Sequence, residues 1–390
     1  MSSKGSKGSF DRALLKRPTS ERLKHFRSYV VKHKRLVTVD EQIAAALKEP
    51  ADAGLVFIVG PTGIGKSTIK KVIYQRVIQA AMAEMETDPG YLPIAGIEII
   101  ATGKMSYNWH DHWYRALEAL EEPLIKNKVM PKRSKIDRPS SGARLREQTA
   151  ALRRSFESGA KNRRLQFFTL DEAQHFTHVA PSLLRYQVET IKSVANLSRA
   201  LHLMFGTYEL LLLRNASGQL GRRALTIHFD RYHVKSDQDI VAFAEVVKSF
   251  QVQMPLPETP DFLPHLEYCF ERSLGCVGLL KDWFSRALAD AVNKGAKTVT
   301  VRDLQKHEFP ASVLLTVSAE ILDGESKLKE QESAFALLRE RLGISSRLRK
   351  EAKEGNKRAP SKRARRGFAA RKPRRDKVGG GRAATNQPED

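Results

Sequence analysis

The sequence predicts an α/β architecture: a parallel five-stranded sheet flanked by helices, then a small all-helical unit and a disordered basic C-terminal tail. Three observations predict it. Short apolar runs alternate with helical stretches between residues 54 and 229, the pattern of a sheet covered on both faces. The first run, within "GLVFIVGPTGIGKSTIKKVIYQ" (54–75), breaks into a glycine-rich turn that opens directly into a helix. Beyond residue 236 the strand-like runs stop and capped helical stretches take over.

Taken in order, residues 1–20 are polar, punctuated by Gly and Ser, and read as a flexible N-terminus. Residues 21–50 give a basic helix capped by Ser20 and a second, amphipathic helix closed by Pro50. The α/β region, 51–235, carries strands at 54–60, 94–100, 165–170, 201–206 and 225–229. Residues 236–312 form the helical unit, with "SDQDIVAFAEVVKSFQ", "TPDFLPHLEYCFERSLG", "CVGLLKDWFSRALADAVNKG" and "TVRDLQKHEF" as its amphipathic segments. One C-terminal helix occupies 313–343 and precedes the tail, 344–390. No internal repeat of fixed period is present.

A chain of 390 residues can bury a substantial core. Its two cysteines, Cys269 and Cys276, are too few for a disulfide framework and match no zinc spacing, which points to a reducing, cytoplasmic setting. No apolar stretch of about 18 residues and no charged-then-apolar leader occurs, so neither a membrane span nor a secretion signal is expected. The formal net charge of +23 implies an anionic polymer or surface as partner. Residues 346–390 hold 16 Lys/Arg against 5 Asp/Glu, so the tail supplies +11 and the remainder keeps +12. Body and tail are both basic.

Gly60, Pro61, Thr62, Gly63, Ile64, Gly65, Lys66 and Ser67 match the phosphate-loop pattern GxxxxGK(S/T) in full, with Thr68 continuing into the helix. Glycines let the backbone curl so that successive N–H groups face phosphate oxygens, and the helix adds the positive end of its dipole. The turn therefore suits a nucleoside triphosphate, with Lys66 reaching the β and γ phosphates and the Ser67 hydroxyl a ligand for Mg²⁺. In "RRLQFFTLDEAQHF" the apolar strand ends in Asp171, fit to hold Mg²⁺, and Glu172, fit to polarise an attacking water. No guanine-reading NKxD element is found, which argues against a GTPase.

Two further positions extend the site. Thr207 ends the strand in "LMFGTYELL"; it orients water beside the γ phosphate if its strand lies between the two motifs, or simply caps the strand. Arg222 and Arg223 in "NASGQLGRRALTIHF" suit an arginine finger offered to a neighbouring subunit, or a salt-bridged surface pair. His110, His112, His175 and His178 lack a recognisable zinc spacing, and no nucleophile elbow appears.

Together, "GPTGIGKS", "LQFFTLDEAQH", "LMFGTYELL", "SGQLGRR…FDRYH" and "GCVGLLKDWFSRAL" resemble the AAA+ ATPases of the TnsC/TniB family, target-selection regulators of bacterial DNA transposons, including CRISPR-associated ones. The resemblance covers roughly residues 20–300. It implies a P-loop AAA+ domain with a helical lid, ATP and Mg²⁺ as cofactors, and nucleotide held at the boundary of a homo-oligomer. It also implies assembly on double-stranded DNA as a filament or ring, with a transposase and a target selector as partners. Lys281 matches the lid's sensor-2 position, with Arg286 a turn and a half later. DNA contacts in that family come from the segment after the second strand, here "ATGKMSYNWHDHWYRAL", which nominates Lys104 with Thr102 and Ser106. The basic stretch 126–146 is either a channel lining or a solvated loop. A replication-initiator or helicase-loader ATPase, and a nucleotide-switched adaptor with negligible turnover, are the alternatives.

Overall fold

The computed structural model describes residues 9–48, 54–101, 106–128, 141–216, 224–329 and 332–342. Thr102, Lys104, Arg222, Arg223, most of the basic stretch 126–146 and the tail 344–390 lie outside the described residues. Two units are distinguished, Met1–Lys329 and Glu330–Asp390.

Within the first unit the five predicted strands form one parallel sheet. They are β1 (Leu55–Val59), β2 (Ile94–Glu98), β3 (Phe167–Asp171), β4 (Leu201–Gly206) and β5 (Ala224–His228). Their order is β2-β3-β4-β1-β5. The strand carrying the phosphate loop is thus flanked by β4 and β5, and β4 separates it from the strand carrying the acidic pair. Every residue of β1 is buried, as a strand covered on both faces requires.

Alternation along β1 divides the core. Leu55, Phe57 and Val59 face one cluster, with Trp113 and Leu117 from α4 (Trp109–Ala119), Leu152 and Phe156 from α6 (Ser141–Asn162), and Val188 and Ile191 from α7 (Pro181–Ser198). Val56 and Ile58 face the other, with Ile69 and Ile73 from α3 (Lys66–Thr87) and Val39 and Ile43 from α2 (Lys34–Lys48). The short helices α5 (Ile125–Lys128) and α8 (Leu210–Asn215) fill connections.

The helical unit contains α9 (Asp237–Gln253), α10 (Leu266–Ser273), α11 (Val277–Asn293) and α12 (Val301–Lys306) around Trp283, which is fully buried and donates from Nε1 to the Leu304 carbonyl at 2.8 Å. The two N-terminal helices divide between the cores. Phe26 of α1 (Thr19–Ser28) is buried in the helical unit beside Phe250, whereas α2 packs beneath the sheet. Pro18, not Ser20, precedes the first turn of α1.

The single C-terminal helix expected over 313–343 is two: α13 (Ala311–Leu328) and, in the second unit, α14 (Glu332–Arg341). Lys329 leaves the helical region at φ −73°, ψ 117° while its N–H still bonds the Glu325 carbonyl, which ends α13. No described helix is long and apolar enough to cross a membrane.

Candidate functional site

Parallel strands deliver their C-terminal ends to one edge, and here those ends carry the chemistry. After β1 the chain turns through Gly60, where a Cβ would stand 2.4 Å from the Phe229 carbonyl oxygen, so only glycine fits against β5's exit. Gly63 (φ +71°) and Gly65 (φ +114°) adopt left-handed conformations, and α3 starts immediately at Lys66. Ile64 between them is buried and pins the loop to the core under α3.

The Lys66 ammonium folds back over its own loop, donating to the Gly60 carbonyl at 3.0 Å and the Pro61 carbonyl at 2.9 Å. Burial pushes this lysine down to about 8, although Glu172 and Asp171 pull the other way. A group whose folded value is lowered costs stability below that value, and the cost fades as pH rises from about 8 towards 10.5, where the unfolded chain also deprotonates. Lys66→Met is therefore expected to stabilise the protein by about 1–2 kcal/mol at pH 7, with the gain vanishing above pH ~10. Denaturant melts at both pH values check it.

At the end of β3, Asp171 is 7 % exposed and ion-paired with Lys70, one turn into α3. Glu172 takes φ +50°, which turns its side chain out of the strand direction; its N–H bonds Asp171 Oδ1 at 3.1 Å. The next residues form a 3-10 turn, Ala173–Thr177. From it Gln174 reaches Glu172 and also accepts from the Thr207 N–H at the end of β4.

These residues share one cleft of about 430 Å³. Thr62, Lys66, Ser67 and Thr68 line it from the loop and helix, Glu172, Gln174 and Thr207 from the strand ends, and Gly278, Lys281 and Asp282 from α11. The lid helix meets the loop directly, with Leu279 N–H donating to the Gly63 carbonyl at 3.0 Å. Lys281 donates to the Arg27 and Tyr29 carbonyls, both at 2.7 Å, which fastens the segment after α1 along the cleft. Arg286 lies 4.0 Å over the Phe309 ring, outside the cleft lining.

Residues 48–213 match a protein-family model described as an AAA domain. The chain carries an AAA-type P-loop domain. Similarity of the chain to solved structures is distant. The Aeropyrum pernix ORC2 protein is 16 % identical at a TM-score of 0.48, over 73 % of this chain and 70 % of that one. Cdc6p from Pyrobaculum aerophilum is 17 % identical at 0.46, over 77 % and 70 %. Domain III of the Thermotoga maritima replication initiation protein DnaA is 15 % identical at 0.39, over 75 % and 95 %. No curated protein matches significantly.

The fold thus brings Lys66, Ser67, Glu172, Thr207 and Lys281 to one cleft, with Asp171 held by Lys70 at the end of β3. Ser106 lies elsewhere, exposed in a separate hollow of about 500 Å³ beyond β2 that also holds Glu98, Asp111 and Arg115. The histidines named from the sequence separate too. His112 is buried, bonds Tyr107 and is pushed down to about 3 by burial and then by His202, while His175 and His178 pair at 3.3 Å beside Glu209. Asp230, His233 and Glu325 bring ligand atoms within 4.8 Å of one another, but Arg35 and Arg231 already answer their charge. Sequence reasoning missed Lys70, Gln174, Gly278 and the Arg27–Tyr29 segment. Lys70, Gln174 and Gly278 were marked only by proximity to the two motifs or by lying in the lid helix, and the Arg27–Tyr29 segment by nothing in the sequence.

Proposed function

We propose that this chain is an ATP-dependent, DNA-binding regulator of transposition that assembles as a homo-oligomer on double-stranded DNA, marks a target and recruits a transposase, with a target-selector protein as a further partner. The observation that carries the nucleotide reading is the cleft in which the loop, Glu172, Thr207 and the lid converge. The TnsC/TniB resemblance of five ordered motifs and the net charge of +23 support the DNA reading.

In this reading the loop's N–H groups and Lys66 bind the triphosphate, and the lid residues close over it. The hydroxyl of Ser67 and the carboxylate of Asp171 are hard oxygen donors of the kind Mg²⁺ takes, so they fit that ion; Lys70 is the cation Asp171 pairs with otherwise. Bound Mg²⁺ would neutralise charge developing on the phosphates. Glu172 accepts the proton of the attacking water, and Thr207 orients that water. Arg222 or Arg223 of a neighbouring copy supplies the remaining positive charge. Lys104, Thr102 and Ser106 hold phosphates of the duplex without reading bases.

ATP binding then stabilises the array and hydrolysis dismantles it. Electron microscopy and sedimentation with a slowly hydrolysed ATP analogue, Mg²⁺ and duplex DNA test this. A continuous coat or ring that dissolves as salt is raised is expected. A chain that stays monomeric with saturating nucleotide and duplex at low ionic strength overturns it.

A further inference from the structure

We infer that Gln174 is a positioning residue that aims the Glu172 carboxylate and ties its orientation to the strand end carrying Thr207; the inference rests on the hydrolase reading above. The Gln174 side chain is 7 % exposed and bonded at both ends of its amide. Its Nε2 donates to Glu172 Oε2 at 2.6 Å, and its Oε1 accepts from the Thr207 N–H at 3.3 Å. One primary amide therefore spans the two chain segments, 33 residues apart, that flank the reacting end of the cleft.

The surroundings are built around that amide. A Cβ on Gly206 would lie 2.8 Å from Gln174 Oε1, so the last residue of β4 leaves the space the amide occupies. The turn that presents it is fixed from below. Phe176 is fully buried, with its ring 4.8 Å from Tyr107 and 5.8 Å from Trp109, and Thr177 Oγ1 donates to the Gln174 carbonyl at 2.7 Å. Glu172 itself sits at φ +50°, an uncommon conformation for a residue with a side chain, and this turns its carboxylate towards Gln174.

The chemistry asks for such a holder. A carboxylate acting on water must present one oxygen in a fixed direction, and misplacement by about 1 Å costs on the order of 100-fold in rate. Gln174 occupies one oxygen through a charge-assisted bond and leaves the other to the water. Because the same amide grips the Thr207 N–H, the carboxylate is held in register with the end of β4. A neutral amide is the one side chain of this shape that can donate to the carboxylate and accept from the N–H together.

The experiment compares the chain with Gln174→Met and Gln174→Glu, measuring affinity for a fluorescent ATP analogue, turnover and melting. Gln174→Met keeps the shape and loses both bonds. It should keep nucleotide affinity within about threefold while kcat falls about tenfold or more. Gln174→Glu keeps an acceptor for the Thr207 N–H but offers Glu172 no donor, so kcat should fall at least as far as in Gln174→Met with affinity again held. Variants with wild-type kcat, or a kcat loss matched by equal loss of affinity or folding, overturn the inference. A wild-type chain that binds nucleotide without turnover sinks the hydrolase reading and this inference with it, whereas a hydrolysing wild type with unaffected variants sinks this inference alone.

Discussion

Glu172→Gln is expected to lower ATP turnover by about two to three orders of magnitude while leaving nucleotide affinity nearly unchanged. The substitution keeps the side chain's size and its ability to accept from Gln174 Nε2, so the 3-10 turn and the Thr207 contact should persist. What disappears is the negative charge and the capacity to take a proton from water. The phosphate loop keeps its geometry, because Lys66 donates to the Gly60 and Pro61 carbonyls and not to Glu172, although the lysine loses the neighbouring charge of Glu172. Since hydrolysis is the step that dismantles the proposed array, the variant should accumulate assemblies on duplex DNA that outlast those of the parent chain. Lys66→Met, by contrast, removes the phosphate-binding charge and should prevent assembly. Steady-state ATPase measured beside DNA co-sedimentation checks both. Equal assembly by the two variants would separate nucleotide turnover from DNA binding and refute their coupling.

The fold was legible because its determinants are local. Each strand is a largely apolar run, Leu55–Val59 at every position, and two lid helices carry capping side chains, Ser236 before α9 and the Thr300–Asp303 capping box at the start of α12. The phosphate loop and the acidic pair were legible for the same reason, being contiguous. The supporting contacts were not. Gln174 to Thr207, Lys70 to Asp171 and Lys281 to the Tyr29 carbonyl join residues 33, 101 and 252 positions apart, and no periodicity encodes them. The split of the C-terminal helix was hidden too. Residues 329–333, "KEQES", contain no Gly or Pro, so the chain carries no local mark of the break that the backbone makes at Lys329. Nor could the sequence divide the N-terminal helices between two cores, since both are simply amphipathic and the choice of partner belongs to the tertiary packing of Phe26 and Ile43.

Gly278→Val should uncouple the lid from the phosphate loop. At the second position of α11 even a lone Cβ would stand 2.2 Å from the Gly63 carbonyl oxygen and 2.8 Å from its carbonyl carbon. Both are backbone atoms of a loop pinned by buried Ile64, so the lid helix must give way, by about 1 Å to reach ordinary contact distance. That movement stretches the Leu279 N–H bond to the Gly63 carbonyl and lifts Leu279 from the core it shares with Ile64. It also carries Lys281 and the Arg27–Tyr29 segment fastened to it away from the cleft. The expected cost is about 1–3 kcal/mol in stability. Nucleotide affinity should fall about tenfold or more. Gly295→Ala at the other end of the same helix supplies the contrast. Gly295 has φ +66° but nothing within 4 Å of its Cβ position, so that change should cost about 1 kcal/mol through backbone strain alone and leave nucleotide affinity intact. Calorimetric melts and nucleotide titrations on the two variants separate contact from strain. If both lose affinity alike, the lid acts through its stability rather than through its seat on Gly63.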